Sequence, residues 1–400
     1  MQSIKQLYKI GRGPSSSHTM GPYFACKMIK ERYPQARKAF ITLYNSLALT
    51  GEGHLTFSVI KNTLAPIPVE FATSIKMDHH PNFMEIEIHL DDDVKRFGVT
   101  SIGGGDIIIN DEKKEIINIY PHKKFSEIKE YCEGNNLTLY EYVKMVEGKY
   151  IDDFLLQVWQ QMQKTIKNGL SKEGILPGKL EVKRKAKELL TKQMENEPES
   201  ITEHRLVSAY AYATSEENAD GGIIVTAPTC GSCGVLPAVL YYMQGKRRLP
   251  DQKIIEALAI AGLIGNIIKE NATISGAVGG CQAEVGSACA MAAAAHASLF
   301  DATIDQIEYA AEVAIEHHLG LTCDPISGYV QIPCIERNAV AAIRAINASG
   351  ISYFLSGSRK ISFDMIVQTM YKTGLDMHPK YKETAEAGMA FFYHQKQKVE

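Results

Sequence analysis

Residues 83–90 alternate. Met84, Ile86, Ile88 and Leu90 are apolar, while Glu85, Glu87 and His89 are polar. A period of two predicts a strand with one wet face. Residues 96–105 and 106–110 predict two further strands, broken by a glycine turn, and 38–47 predicts another before the glycine-rich turn at 51–54. Between them, 21–32 and 54–64 predict helices. From 125 to 191 the pattern lengthens into amphipathic runs such as 151–170, which predict linking helices. The acidic, proline-bearing stretch 193–200 predicts an exposed loop. Beyond residue 201 only the short run 223–228 predicts a strand. The rest is helix pattern rich in Ala, Leu and Ile. A helix from 251 is expected to be capped by Asp251. The segment 287–300 is so rich in small residues that its neighbours must pack very closely. A helix from 303 starts at a Thr/Asp cap and stops before Gly320, a C-terminal signal. The order predicts an α+β chain. A small N-terminal mixed α/β sheet domain is expected at 1–135, a helical linker region at 136–200, and a larger, almost all-helical domain at 201–400. No internal repeat or low-complexity tract interrupts this order.

Composition adds boundaries. The chain has 400 residues, 45% hydrophobic and 22% charged, with a formal net charge of −3. That balance points away from nucleic acid or an anionic membrane as partner. No apolar run reaches the ~20 residues that span a bilayer. The N-terminal residues lack the apolar stretch of a secretory signal, so a cytoplasmic protein is expected. Eight cysteines spread over the chain are not a disulfide framework. In a reducing compartment their fates are burial, metal binding or redox chemistry.

Several segments concentrate chemistry. Ser15, Ser16, Ser17, His18 and Thr19 crowd hydroxyls and an imidazole between Pro14 and Gly21. Such groups at a helix start suit a carboxylate or ammonium, and equally suit a helix cap. His54 follows glycines at 51 and 53, which let the chain bend and present the ring. His80 and Asn82 belong to a turn-like segment. Asn271, Thr273 and Ser275 precede Cys281 and could bond a substrate or cluster sulfurs, or simply cap a loop. Cys230 and Cys233 form a CxxC pair, a redox or metal signature. Cys289 reads as core, and Cys26 and Cys132 have no partner signature. Cys281, Cys323 and Cys334 sit in glycine- or proline-rich settings and read C-x41-C-x10-C. Spacing alone fits no local cluster signature, so by itself it favours three buried cysteines over three cluster ligands.

Taken together, 216–240, 272–294 and 316–339 resemble the catalytic half of bacterial iron–sulfur L-serine dehydratases (L-serine ammonia-lyases). The segments 11–22, 47–54, 79–84 and 101–105 resemble the smaller half, and 376–390 also fits. The order is the same over nearly the whole chain. The resemblance implies a 4Fe–4S cluster on Cys281, Cys323 and Cys334, with one iron left open as a Lewis acid for the serine hydroxyl. It implies His54 as the base that removes the Cα proton, with His18 as the alternative or as a holder of the carboxylate. It implies substrate contacts from Ser15, Ser16, Ser17, Thr19, Asn271 and Ser275, and a homodimer. The products would be pyruvate and ammonia. The same apparatus would serve elimination from threonine, cysteine or another small hydroxy acid. A cluster-bearing serine sensor without turnover is the non-enzymatic alternative. Two features depart from the family pattern. Cys230 stands where members usually carry an Asn-Gly type pair, so the CxxC cysteines are expected to be incidental. Some members end in a cysteine that reaches the cluster, and residues 393–400 here contain none. The open iron is then expected to hold water, an exogenous ligand or another residue at rest.

Overall fold

The computed structural model describes residues 1–76, 78–110 and 117–397. Its strands are β1 (Ile10–Arg12), β2 (Lys38–Tyr44), β3 (Val69–Ser74), β4 (Phe83–His89), β5 (Val94–Gly103), β6 (Asp106–Ile109) and β7 (Ile223–Val225). The alternating segment forms β4, the middle of a five-stranded sheet ordered β3-β2-β4-β5-β6. Its Met84, Ile86 and Ile88 are buried with Ala39, Ile41 and Leu43 of β2 and Phe97 and Val99 of β5. The helices Gly21–Arg32 and Thr56–Leu64 contribute Ala25, Cys26, Ile29, Val59, Ile60 and Leu64 to this core. One face of the sheet is therefore dry and the other wet, as the period of two requires. β2 and β3 run parallel, the other pairs antiparallel. A parallel pair needs a crossover. Here it contains the helices Asn45–Thr50 and Thr56–Leu64, with His54 in the turn between them. β3 was not predicted, because 69–74 lacks apolar alternation. It is an edge strand paired on one side only.

The helical body is built around Ser287–Ser298, whose residues 287–297 are all buried. The helices Val235–Arg247, Asp251–Asn271, Ile304–Glu316 and Cys334–Leu355 pack against it. Its run of alanines lets four neighbours approach one helix at once. The chain begins inside this body. Met1, Ile4, Leu7 and Tyr8 belong to its core, and the Tyr8 hydroxyl donates to the Leu258 carbonyl at 2.8 Å. β1 then pairs antiparallel with β7 before the chain enters the sheet. Among the described residues no helix is long and apolar enough to cross a membrane.

Two capping expectations part company. Asp251 is the first helical residue, not the cap; Pro250 holds the cap position and the Asp251 carboxylate accepts from Gln244 Nε2 at 2.7 Å. Thr303 does cap its helix in a reciprocal pair with Gln306. Thr303→Ala is expected to cost about 1 kcal/mol of stability. The urea midpoint should fall at unchanged denaturant slope, and an unmoved midpoint would contradict the capping role.

Candidate active site

The β1–β7 ladder lays residues 13–19 alongside 218–230. Asn218 Nδ2 donates to the Pro14 carbonyl at 2.9 Å, and the Cys230 amide donates to Ser16 Oγ at 2.7 Å. Ser15 Oγ accepts from the His18 amide at 3.1 Å, and Ser16–Met20 winds as a wide turn into the helix from Gly21. Ser15, Ser16 and Ser17 line a cavity whose other walls carry His54, Ser275, Cys281, Cys323 and Cys334. The serine cluster, one histidine and all three proposed ligand cysteines thus meet at one place.

The two histidines differ in what their nitrogens can do. His18 Nδ1 lies 2.8 Å from Ser17 Oγ and Nε2 lies 2.9 Å from Ser46 Oγ, so both are engaged. His54 Nδ1 lies 3.1 Å from the Thr50 carbonyl. A carbonyl only accepts, so Nδ1 carries the proton and Nε2 keeps its lone pair. Burial pushes His54 down to about 4, and burial together with His54 pushes His18 down as well. Both rings are therefore neutral at pH 7, packed against each other at a tilt with centroids 4.4 Å apart. Thr19 Oγ1 donates to the His54 carbonyl at 2.6 Å, so Thr19 holds the histidine turn and does not line the cavity. Gly53 serves close approach, not an unusual φ. A Cβ there would stand 2.8 Å from the Gly328 backbone. The unusual backbone belongs to Leu55, left-handed at φ 56°.

The cysteine loops are fastened to one another. Gln282 is fully buried; its Oε1 accepts from the Gly320 amide at 2.9 Å and its amide donates to the Leu321 carbonyl at 3.2 Å. The Cys281 loop is thereby tied to the Cys323 loop. Asn338 joins the Cys334 helix to the CxxC turn through Gly231 and Gly234. Arg337 donates to the Thr322 carbonyl at 2.6 Å and stands beside the Cys281 and Cys334 thiols. Burial pushes Cys281 up to about 11 and drives Cys323 and Cys334 well above the usual thiol value. Neighbouring thiols add to the rise at Cys323 and Cys334. None of the three is in a disulfide.

This donor set fits a cluster better than a single ion. Among the described residues, the one group of three donors within 4.8 Å of one another is Glu284, Cys323 and Glu383. The three thiols do not close on one point, as bonds of ~2.3 Å to one tetrahedral ion would require. A cluster takes each thiolate on a separate iron, and its charge would relieve the cost of three crowded thiolates.

Other sequence expectations fall outside the cavity. Asn271 Nδ2 donates to the Lys123 and Ile267 carbonyls at 2.7 and 2.9 Å, as a helix-end fastener. His80 Nδ1 accepts from the Asn82 amide within its own turn. Cys230 and Cys233 are buried with Met20 and Ile224, and Cys289 is buried in the central helix. Residues 398–400 of the terminal segment lie outside the described residues. Sequence reasoning missed Glu284, Arg337 and Glu383, which all line the cavity. Glu284 stands three positions after Cys281 and Arg337 three after Cys334, and Glu383 lies inside the 376–390 motif.

Burial pushes the Glu284 and Glu383 carboxyls above their ordinary value of 4.5. Glu284 adds to the rise at Glu383. The stability of the protonated pair is full below the unfolded value and lost as pH rises through the raised folded values. The buried histidines, lowered from their ordinary 6.5, add stability as pH rises through that value, with the opposite sign and equally in any glutamate variant. Relative to a protein without the two carboxyls, the urea midpoint of the iron-free protein is expected to fall between pH 6.5 and 8. The double variant Glu284→Gln, Glu383→Gln should lose that decline, and an equal decline in both proteins would contradict the assignment.

Residues 76–390 match the family described as serine dehydratase alpha chain, and residues 3–67 that described as serine dehydratase beta chain. The chain is 38% identical over 451 aligned positions to the L-serine dehydratase of Haemophilus influenzae, across 98% of this chain and 99% of that protein. It is 37% identical to L-serine dehydratase 1 of Escherichia coli, with the same coverage. It is 36% identical to the L-serine dehydratase of Helicobacter pylori, across 97% of this chain and 98% of that one.

Proposed function

We propose that this chain, which belongs to the serine dehydratase family, is a lyase that converts L-serine to pyruvate and ammonia by elimination of water. The observation that carries the reading is the single cavity that gathers Cys281, Cys323 and Cys334 with His54 and the Ser15–Ser17 cluster. A 4Fe–4S cluster on the three cysteines would supply a Lewis acid that makes the serine hydroxyl a better leaving group. The hydroxyls at 15–17 and the backbone amides at that helix start hold the substrate carboxylate. His54 Nε2 takes the Cα proton; its own Nδ1 proton is fixed on Thr50, so the ring cannot turn away from the substrate. His18, packed against it and bonded at both nitrogens, holds the ring in place. Loss of the Cα proton and the hydroxyl gives aminoacrylate and water. Aminoacrylate tautomerises to the imine, and a second water hydrolyses it to pyruvate and ammonia.

The test is pyruvate formation from L-serine by protein purified without oxygen, with iron counted in the same sample. Pyruvate production that tracks iron is the expected result. An iron-replete chain that makes no pyruvate overturns the reading, as does an active chain free of iron.

A further inference from the structure

The cavity holds two carboxylates that face each other, and among the described residues no cationic side chain lies between them. Glu284 and Glu383 oxygens lie within 4.8 Å of each other and of Cys323 Sγ. Among the described residues, Glu284 accepts only from the Thr229 hydroxyl, at 2.7 Å. Glu383 is 9% exposed, and among the described residues its carboxylate has no hydrogen-bond donor and no cationic partner. Among the described residues, the one cationic side chain on the cavity wall is already engaged. Arg337 is spent on the Thr322 carbonyl, on Asp324 and on the thiols of Cys281 and Cys334.

The chain takes trouble to build this arrangement. Cys323 and Lys382 form a short parallel bridge, in which the Cys323 amide donates to Tyr381 and the Glu383 amide donates to the Cys323 carbonyl, both at 2.8 Å. That ladder delivers Glu383 to the cavity from a segment sixty residues downstream of Cys323. Gly276 makes room for Glu284, since a Cβ at that position would come within 2.5 Å of Glu284 Oε2. Two facing carboxylates, one buried and one partly buried, are costly unless a cation lies between them.

We propose that Glu284 and Glu383 bind the α-ammonium of the amino-acid substrate. The inference rests on the elimination reading and names how that site recognises an amino acid. An ammonium has three donors and no acceptor. Set at charge-assisted distances of about 2.8 Å, it bridges oxygens up to 4.8 Å apart. A single metal ion in the same place would compete with the cluster for Cys323. With the carboxylate at 15–17, the ammonium between the glutamates and the hydroxyl toward the cysteines, three points fix the Cα configuration. The Cα proton is then left for His54. A hydroxy acid lacks the ammonium and leaves the carboxylates unpaired, so the pair selects amino acids over hydroxy acids of the same size.

Glycine and glycolate test this directly, because they differ only in ammonium against hydroxyl and neither can be dehydrated. Their competitive inhibition constants against L-serine are measured with the iron-loaded protein. The parent should bind glycine at least ~10-fold more tightly than glycolate. Glu383→Gln should raise the KM for serine and the glycine constant by about 10–100-fold, the worth of a charged hydrogen bond. It should leave the glycolate constant and the iron content unchanged. Equal weakening of both inhibitors, loss of iron, or a parent that does not distinguish them each overturns the assignment. The parent comparison and Glu284→Gln decide the matter if Glu383→Gln does not fold. Pyruvate output of the parent is read separately. Should the parent make none, the elimination reading fails, while thermal shifts with glycine and glycolate still report on the ammonium site.

Discussion

Cys281→Ser, Cys323→Ser and Cys334→Ser are each expected to strip the chain of its iron and reduce pyruvate formation to background, while Cys289→Ala, Cys230→Ala and Cys26→Ala keep most of both. The contrast is one of place. Cys281, Cys323 and Cys334 open onto the same cavity. Cys289 of the central helix donates to the Ala341 carbonyl of the neighbouring helix, Cys26 lies in the sheet core, and Cys230 and Cys233 form a small apolar cluster with Met20 and Ile224. Three thiolates hold a cluster only if none is missing, and hydroxyl oxygen is a poor substitute for the soft thiolate that iron–sulfur centres take. Iron analysis and the visible absorbance of anaerobically purified variants check this without reference to activity. Iron lost from Cys230→Ala with iron retained in Cys334→Ser would reverse the ligand assignment.

His54→Ala is expected to keep its iron and still bind serine, but to lose turnover by a factor on the order of 10²–10⁴, the usual share of a positioned general base. The hydroxyl side of the elimination can be activated by a Lewis acid, yet the Cα proton needs an acceptor. Of the two histidines that meet at the site, among the described residues only His54 has a nitrogen without a hydrogen-bond partner, since His18 is bonded at both. His18→Ala should act through His54, raising KM and lowering kcat less than the His54 variant does. Exchange of the serine Cα proton with deuterated solvent separates the two roles. Should His54→Ala turn over near the parent rate while His18→Ala is inactive with serine bound, the base is His18.

Much of the fold was legible because its signals are local. The alternation at 84–90 reports one wet and one dry face, and it became β4. The small-residue run at 287–298 reports a helix buried on all sides, and it lies at the centre of its bundle. Edge strand β3 carried no such pattern, since a strand with one neighbour and two half-exposed faces has no reason to alternate. Asp251 was mistaken for a cap because Asp is common in both the cap and the first helical position. The cysteines, the serine cluster and His54 were recognisable as motifs, and the tertiary structure brought them to one cavity. Asn271 and Thr19 carried the same polar signature and were turned elsewhere by their helices.

What the sequence determined by itself was therefore the type of most elements, the order of a small sheet region before a larger helical one, and the residue types able to do the chemistry. Those properties depend on neighbours within one turn or one strand. The tertiary structure alone decided which histidine nitrogen is free, that the thiols do not converge on one point, and that Glu284 and Glu383 face each other unpaired. These depend on groups brought together from distant segments. Thr50 fixes the His54 tautomer across one turn, but Ser46 occupies His18 from 28 residues away. Glu383 reaches Glu284 only through the backbone ladder at Cys323. Proximity of that kind is set by how the whole chain packs, and a glutamate in a linear sequence looks the same whether it faces water or another buried charge.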